Sequence, residues 1–357
     1  MLTNESSLRL KLLRFPPIIG VVYIHAYNTV IGYSGGTLGT SQLNDLTNVI
    51  RILISEGIAR TAVPLFFLMS GYLFFATFHW SEKTYLYKVA TRLRSLLIPF
   101  LFWNILGLIF LAVVQAIPAT QPYFTGTGKK IADYSAYEYL NALFGLRGYP
   151  IAYHFWFIRD LMLLVVLAPL LAVIVRFLPI PFFLAVYVCW VTDTWPIYAP
   201  AAVGVLFFSA GALCGIKGQS LFAFDRFGTA IVLLYLPMLI ADVIWYEAWF
   251  NVYLHRTGLI AGVLAALYAT KLVLRTEWLR NALFALGGAS FFVYAAHEPL
   301  LGIVRMLAFK YVPLDGPYTM LALYLGIPVL VMALLVGCHR VLTVVCPRTL
   351  SLVTGGR

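Results

Sequence analysis

The sequence predicts an all-α polytopic membrane protein, a bundle of about ten transmembrane helices with both termini cytoplasmic. Three observations predict it. The 357 residues are 62% hydrophobic and only 11% charged, where a soluble domain carries roughly a quarter charged residues. Mean hydropathy is +0.89, and apolar runs recur from end to end, each long enough for the roughly 30 Å hydrocarbon core of a bilayer. The basic residues are also distributed unevenly. With the N-terminus inside, the segments on the inner side hold most of the 25 Lys and Arg, as the positive-inside rule requires.

Ten spans are expected, at about 15–33, 58–78, 95–117, 155–175, 178–194, 201–216, 227–248, 257–272, 281–304 and 318–340. The inner cations are Arg9, Lys11 and Arg14 before the first span and Lys83, Lys88, Arg92 and Arg94 after the second. Later come Arg176, Lys217, Arg226, Lys271, Arg275, Arg280, Arg340, Arg348 and Arg357. This bias accounts for the net charge of +11 without a nucleic-acid partner. No small-residue cleavage site follows the first apolar run, so it reads as a retained helix and not a signal peptide. The whole chain, 1–357, reads as a single integral-membrane domain with no internal repeat, and matched transporter-like halves are not evident. Cys189, Cys214, Cys338 and Cys346 form no CxxC or Cys/His cluster, which indicates neither a disulfide framework nor a metal site.

The first span carries the most informative pair. Arg14 and His25 are eleven residues apart, close to three helical turns, which sets both on one face about 16 Å apart along the axis. Pro16 and Pro17 suit a helix start, so Arg14 belongs at the inner interface and His25 near the middle of the membrane. An imidazole at that depth is costly and is a functional-site hypothesis by default; it is also the usual general base at neutral pH. The competing reading is a structural histidine hydrogen-bonded to a neighbouring helix.

The second span, entered at Arg60, carries Ser70 and Gly71 at the level of His25. Small residues there favour close helix packing, and Ser70 is also a candidate for substrate contact. The segment 81–99, read as a loop, places Lys88, Arg92 and Arg94 on the side of Arg14. These are ordinary topology signals on one reading and a phosphate-binding set on the other. The long outer segment 118–154 carries a short helix at 134–144, and the outer segment 34–57 has an amphipathic pattern leading into the second span. His154 and Trp156 fit an interfacial belt. Arg159 and Asp160 lie a turn deeper. His297 and Glu298 fall in the outer half of the ninth span beside Pro299; adjacent positions on a helix point about 100° apart, so they are not automatically a dyad. Arg60, Arg159, Asp160, Asp193, Asp242, His297, Glu298 and Arg305 all fall in outer halves of spans. The pattern is that of an outer polar cavity and an inner basic approach meeting near His25.

Six blocks in order carry a family resemblance: Arg14-x10-His25, VPLFFLMSGYLFF (63–75), RLRSLLIPFLFW (92–103), HFWFIRDL (154–161), FFSAGALCG (207–215) and SFFVYAAHEPLL (290–301). Together they resemble the membrane acyltransferase-3 family, integral-membrane O-acyltransferases of cell-surface polysaccharides, over nearly the whole chain. The resemblance implies transfer of an acyl group, most often acetyl from acetyl-CoA, to a hydroxyl of a surface polysaccharide or its lipid-linked precursor in the bacterial inner membrane. It assigns the family's arginine and histidine to Arg14 and His25, and donor binding to Lys88, Arg92 and Arg94. Arg60, Ser70, Arg159, Asp160, His297 and Glu298 are then candidates for the acceptor. A proton-coupled exporter or flippase of a lipid-linked saccharide, using the same buried charges as a relay, is the alternative.

Overall fold

The computed structural model describes residues 3–76, 82–125 and 128–356. Its helices are α1 (Asn4–Leu12), α2 (Pro16–Ala26), α3 (Asp45–Arg51), α4 (Ala62–Phe75), α5 (Glu82–Ala116), α6 (Gln121–Thr125), α7 (Ala136–Phe144), α8 (Trp156–Val166) and α9 (Ala168–Phe177). They continue with α10 (Pro179–Val191), α11 (Ala202–Ile216), α12 (Gly228–Ile244), α13 (Asn251–Arg275), α14 (Glu277–Gly287), α15 (Ser290–Tyr311), α16 (Thr319–Val345) and α17 (Pro347–Thr354). The strand found among the described residues is one hairpin, β1 (Val30–Tyr33) paired antiparallel with β2 (Gly36–Gly39).

Among the described residues, six helices are long and apolar enough to cross a membrane: Asp45–Phe75, Lys83–Ala116, Ala223–Ile244, Asn251–Arg275, Ser290–Tyr311 and Thr319–Val345. A seventh candidate is the pair Tyr153–Val166 and Ala168–Phe177, bent by 68°. The expected span 155–175 is therefore broken, at the start of α9, where Pro169 has no N–H to continue the helical ladder. Pro179–Val191 and Ala202–Ile216 are shorter apolar helices.

Four further expectations change. The expected span 15–33 is not one helix: α2 stops at Ala26, and the β-branched Val30 and Ile31 enter the hairpin. His25 accordingly sits in the last turn of an 11-residue helix and not in the middle of a long one. The second span begins earlier, because α3 continues through a π-helical turn at Ile52–Ile58 and a 3-10 turn into α4. The segment carrying Lys88, Arg92 and Arg94 is helix and not loop, since no glycine or proline interrupts it before Pro99. The expected ninth span divides into α14 and α15 at Gly287–Gly288. Residues 77–78 of the expected second span, Ser81 and Arg357 lie outside the described residues.

The chain forms two compact units. The first comprises Met1–Ile24, Ile52–Leu93 and Asp160–Ser290; the second comprises His25–Arg51, Arg94–Arg159 and Phe291–Arg357. Within the first, α4 and α11 meet backbone to backbone. A Cβ added to Gly71 would stand 2.0 Å from the Phe208 carbonyl oxygen, and one added to Gly211 would stand 2.0 Å from that of Leu68. Small residues permit this approach where lipid supplies no hydrophobic drive for association. Two buried charges in this unit have charged or titratable partners. Arg9 bonds Asp225, Thr270 Oγ1 at 2.7 Å and the Leu267 carbonyl; His255 meets Asp242 at 2.8 Å.

Within the second unit, the far half of α5 supports the segment 128–155. Leu108, Ile131 and Ala142 form a small core. Gln115 Oε1 accepts from the Ile131 N–H at 2.9 Å, and Asn104 Oδ1 accepts from the Ala152 N–H at 3.1 Å. Helix α7, expected at 134–144, is present. Ser135 and Glu138 close its N-terminus as a capping box, and Gly145 ends it in the left-handed conformation at φ 63°, where glycine carries no Cβ penalty.

Candidate functional site

The site is built in the second unit, from three pieces of chain that end near one another. The first is the C-terminal turn of α2. A helix leaves its last four carbonyls unsatisfied, and here side chains take that of His25 and those of the two residues after the helix, Tyr27 and Asn28. Arg305 donates to the His25 carbonyl at 3.0 Å and also to that of Asn28, and Arg51 donates to the Tyr27 carbonyl at 3.1 Å. Cations also suit the negative end of the helix dipole. The turn that carries His25 is thus fixed by two guanidinium groups.

The second piece is the 3-10 turn Tyr153–Phe155. It is held by the Asn104–Ala152 bond and by Arg159, which donates to the Gly145 and Gly148 carbonyls at 2.6 and 2.9 Å. Tyr294 donates its hydroxyl to the His154 carbonyl at 2.6 Å. The third piece is α15, which has non-helical angles at Glu298 (φ −103°, ψ 136°). A residue before proline is pushed out of the α region, and Pro299 follows. The break removes the 100° offset of an intact helix, so His297 stacks on His25 while Glu298 reaches the Tyr153 hydroxyl beside it.

The resulting cluster is compact. The Tyr153 hydroxyl lies 2.9 Å from His25 Nδ1 and 3.3 Å from Glu298 Oε1. The imidazoles of His25 and His297 stack with centroids 5.2 Å apart, and His154 lies 4.8 Å from His297 and 6.3 Å from His25. His297 is fully buried and His154 nearly so. Their tautomers follow from their partners. His297 Nδ1 faces the Tyr294 carbonyl at 2.7 Å and His154 Nε2 faces the Ala295 carbonyl at 3.3 Å. A carbonyl only accepts, so each of these nitrogens carries the hydrogen. The opposite nitrogens, His297 Nε2 and His154 Nδ1, are buried and have no hydrogen-bond partner among the described residues. An orphan acceptor in a buried site calls for a donor, and a substrate hydroxyl would supply one. Among the described residues, no group of three or more His, Cys, Asp or Glu is arranged to hold a metal ion.

Of the residues singled out from sequence, His25, His297 and Glu298 come together. His154, expected at an interfacial belt, is instead buried against the two other imidazoles, because Tyr294 and Phe155 pack around its ring. Tyr153 gave no signal: a tyrosine in an aromatic, Pro/Gly-rich segment looks like any interfacial residue. Arg159 spends its hydrogen bonds on backbone carbonyls of its own unit. Asp160, fully buried in the first unit, accepts from the Ala201 N–H at 2.8 Å, at the start of α11. Arg60 pairs with Glu56 one turn away at 2.9 Å. Ser70 is half-buried on α4 beside the α11 contact.

The donor candidates also divide. Arg14 occupies the turn between α1 and α2, its aliphatic carbons 3.8 Å from a Cβ built on Gly287. Lys88 and Arg92, four apart on α5, share a helix face, and Lys88 Nζ donates to the Phe74 carbonyl at 3.0 Å. Arg94 is exposed and belongs to the second unit. The first unit also contains an apolar cavity of about 440 Å³. Pro16, Ile19, Gly20 and Tyr23 of α2 line it, a stripe at helical spacing that does not include position 25.

The family model described as an acyltransferase domain matches residues 8–339. The chain belongs to this acyltransferase family. It is 29% identical to the succinoglycan biosynthesis protein ExoH of Rhizobium meliloti (strain 1021), over 98% of this chain and 92% of that protein. No solved structure matches. The match extends across both structural units, and the apolar helices and the family together mark an integral membrane protein.

Proposed function

We propose that this chain is an integral-membrane O-acyltransferase that moves an acyl group from acyl-CoA to a hydroxyl of a surface polysaccharide or its lipid-linked precursor. The observation that carries the reading is the position of His25. In a chain of an acyltransferase family, its imidazole stands among a carboxylate, a phenol and two further imidazoles with unsatisfied nitrogens. The glycan acceptor follows from the similarity to a protein of succinoglycan biosynthesis. The acyl-CoA donor, acetyl in the first instance, follows from the family resemblance.

In this mechanism His25 is the general base. It takes the proton of the acceptor hydroxyl, whose oxygen bonds to the thioester carbonyl carbon. The carbon–sulfur bond breaks, and the leaving thiolate takes the proton back from the imidazolium. His297 Nε2 accepts from a hydroxyl of the acceptor and orients it. Arg14, Lys88, Arg92 and Arg94 bind the donor phosphates from the cytoplasmic side. Ten crossings of the bacterial inner membrane with both termini cytoplasmic belong to this reading: nine of the ten expected segments overlap one of the apolar helices described above, and the bias of Lys and Arg towards the expected inner segments supports the orientation. A single functional domain spanning both units is supported by the continuous family match over 8–339.

The test is His25→Ala, scored by acyl content of the surface glycan in cells lacking the chromosomal gene and by protein level in the membrane. Loss of acylation at normal protein level is expected. Near-normal acylation by this variant would end the proposal.

A further inference from the structure

We infer that Tyr153 and Glu298 form a positioning relay for His25, a carboxylate–phenol–imidazole chain that selects the His25 tautomer and supports the imidazolium during transfer. The inference rests on the reading of His25 as general base. Its evidence is the geometry around a single proton. The Tyr153 hydroxyl touches two groups, His25 Nδ1 at 2.9 Å and Glu298 Oε1 at 3.3 Å, but has only one hydrogen to give. A carboxylate is an acceptor only, so the hydroxyl donates to Glu298. Its oxygen then accepts, and His25 Nδ1 must carry the hydrogen that it accepts. The lone pair of the neutral ring is left on Nε2, the nitrogen that takes the proton from the acceptor.

The arrangement resolves a difficulty in the cluster. His25 faces two other imidazoles, His154 and His297, and the guanidinium of Arg305 sits on its own carbonyl. None of these offers negative charge to a ring that becomes cationic. Glu298 does, and it reaches the ring through the Tyr153 hydroxyl. The function is that of the buried acid in a hydrolase triad, which holds the imidazole in one tautomer and stabilises the cation without being protonated itself. Here a phenol is interposed between acid and imidazole. Two local features exist to make it: the 3-10 turn that presents Tyr153, pinned by Asn104 and Arg159, and the break in α15 that turns Glu298 towards it. The turn that carries Tyr153 is held by other residues, and Glu298 also accepts from the Gly302 N–H, an acceptor role that Glu298→Gln keeps.

The experiment uses the full-length protein purified in detergent, radiolabelled acetyl-CoA as donor probe, and membranes from a strain lacking the gene as acceptor. Tyr153→Phe removes only the hydroxyl and Glu298→Gln is isosteric, so each variant is first checked for a monodisperse profile. The expected result is a 10- to 100-fold fall in kcat for either variant, of the size seen when an outer-shell partner of a functional histidine is removed, with the KM for acetyl-CoA unchanged. The double variant Tyr153→Phe/Glu298→Gln should be no slower than the worse single one, because both act through one chain of hydrogen bonds. If His25→Ala is inactive and Tyr153→Phe turns over at the wild-type rate, the relay is overturned while the base reading stands. Additive losses in the double variant also overturn it. If His25→Ala is itself active, base and relay fall together.

Discussion

Glycine 211 offers the most quantitative test of how the first unit is held. Substituting Gly211→Ala puts a methyl carbon 2.0 Å from the Leu68 carbonyl oxygen, 2.7 Å from the Tyr72 nitrogen and 2.9 Å from the Leu68 carbonyl carbon. All three atoms are backbone, so no side-chain rotation relieves the clash. The gap to the oxygen must widen to about 3.4 Å, the onset of ordinary contact. Gly71 sits reciprocally against Phe208, so the α4–α11 contact must open as a whole. Overpacking of this kind costs about 1–3 kcal/mol, partly offset by up to about 1 kcal/mol of helix propensity gained over glycine. The control is Gly337→Ala in α16, where an added Cβ has no heavy atom within 4 Å and only the propensity gain applies. The measurement is the fraction of protein still monodisperse by size-exclusion chromatography after heating in detergent. Gly211→Ala should lose its peak several degrees below wild type, and Gly337→Ala at or above it. If the two variants behave alike, the close backbone approach of α4 and α11 is refuted.

The remaining predictions concern the sites. Arg92→Ala should raise the KM for acyl-CoA by about 10- to 100-fold, the range of a lost charge-assisted hydrogen bond, while kcat changes less; an unchanged KM removes Arg92 from the donor site. Arg305→Lys should lower both stability and transfer rate, because one ammonium cannot reproduce the fork that spans the His25 and Asn28 carbonyls; full activity with a wild-type melting profile would show that the turn does not need it. Glu138, outside the apolar helices, has its carboxyl pushed down to about 2 by its hydrogen bond to Lys129, aided by the Ser135 cap. The sign follows: a depressed acid contributes its stability above the ordinary carboxylate range and loses it as pH falls towards 2. Amide exchange of α7 should therefore speed up on acidification, and Glu138→Gln should abolish that dependence.

How much was legible beforehand can be judged from particular residues. Helical class, membrane character and the α7 helix were readable, because each rests on a local signal: apolar run length, or a short helical pattern within a Pro/Gly-rich segment. The close packing at Ser70–Gly71 was readable for the same reason. The reading of 15–33 as one span was not correct in detail. Composition reports that a stretch is apolar, but whether it stays helical past Ala26 depends on who satisfies the freed carbonyls. Those partners, Arg51 and Arg305, lie 24 and 280 residues away in sequence from the carbonyls they hold.

The sequence by itself determined the class of protein, its apolar helices and the two residues of the first span on which the functional proposal rests. Tertiary structure alone decided what surrounds His25. Tyr153 and Glu298 are separated from it by 128 and 273 positions, and a hydrogen bond at 2.9 Å cannot be read from residues so far apart in the chain. Helical periodicity even argued against pairing His297 with Glu298, and only the break before Pro299 sets His297 on the His25 ring and Glu298 on the Tyr153 hydroxyl. The physical reason is general. Periodicity and charge bias are properties of neighbouring residues, whereas a proton's path is set by the positions of a few atoms that folding alone brings together.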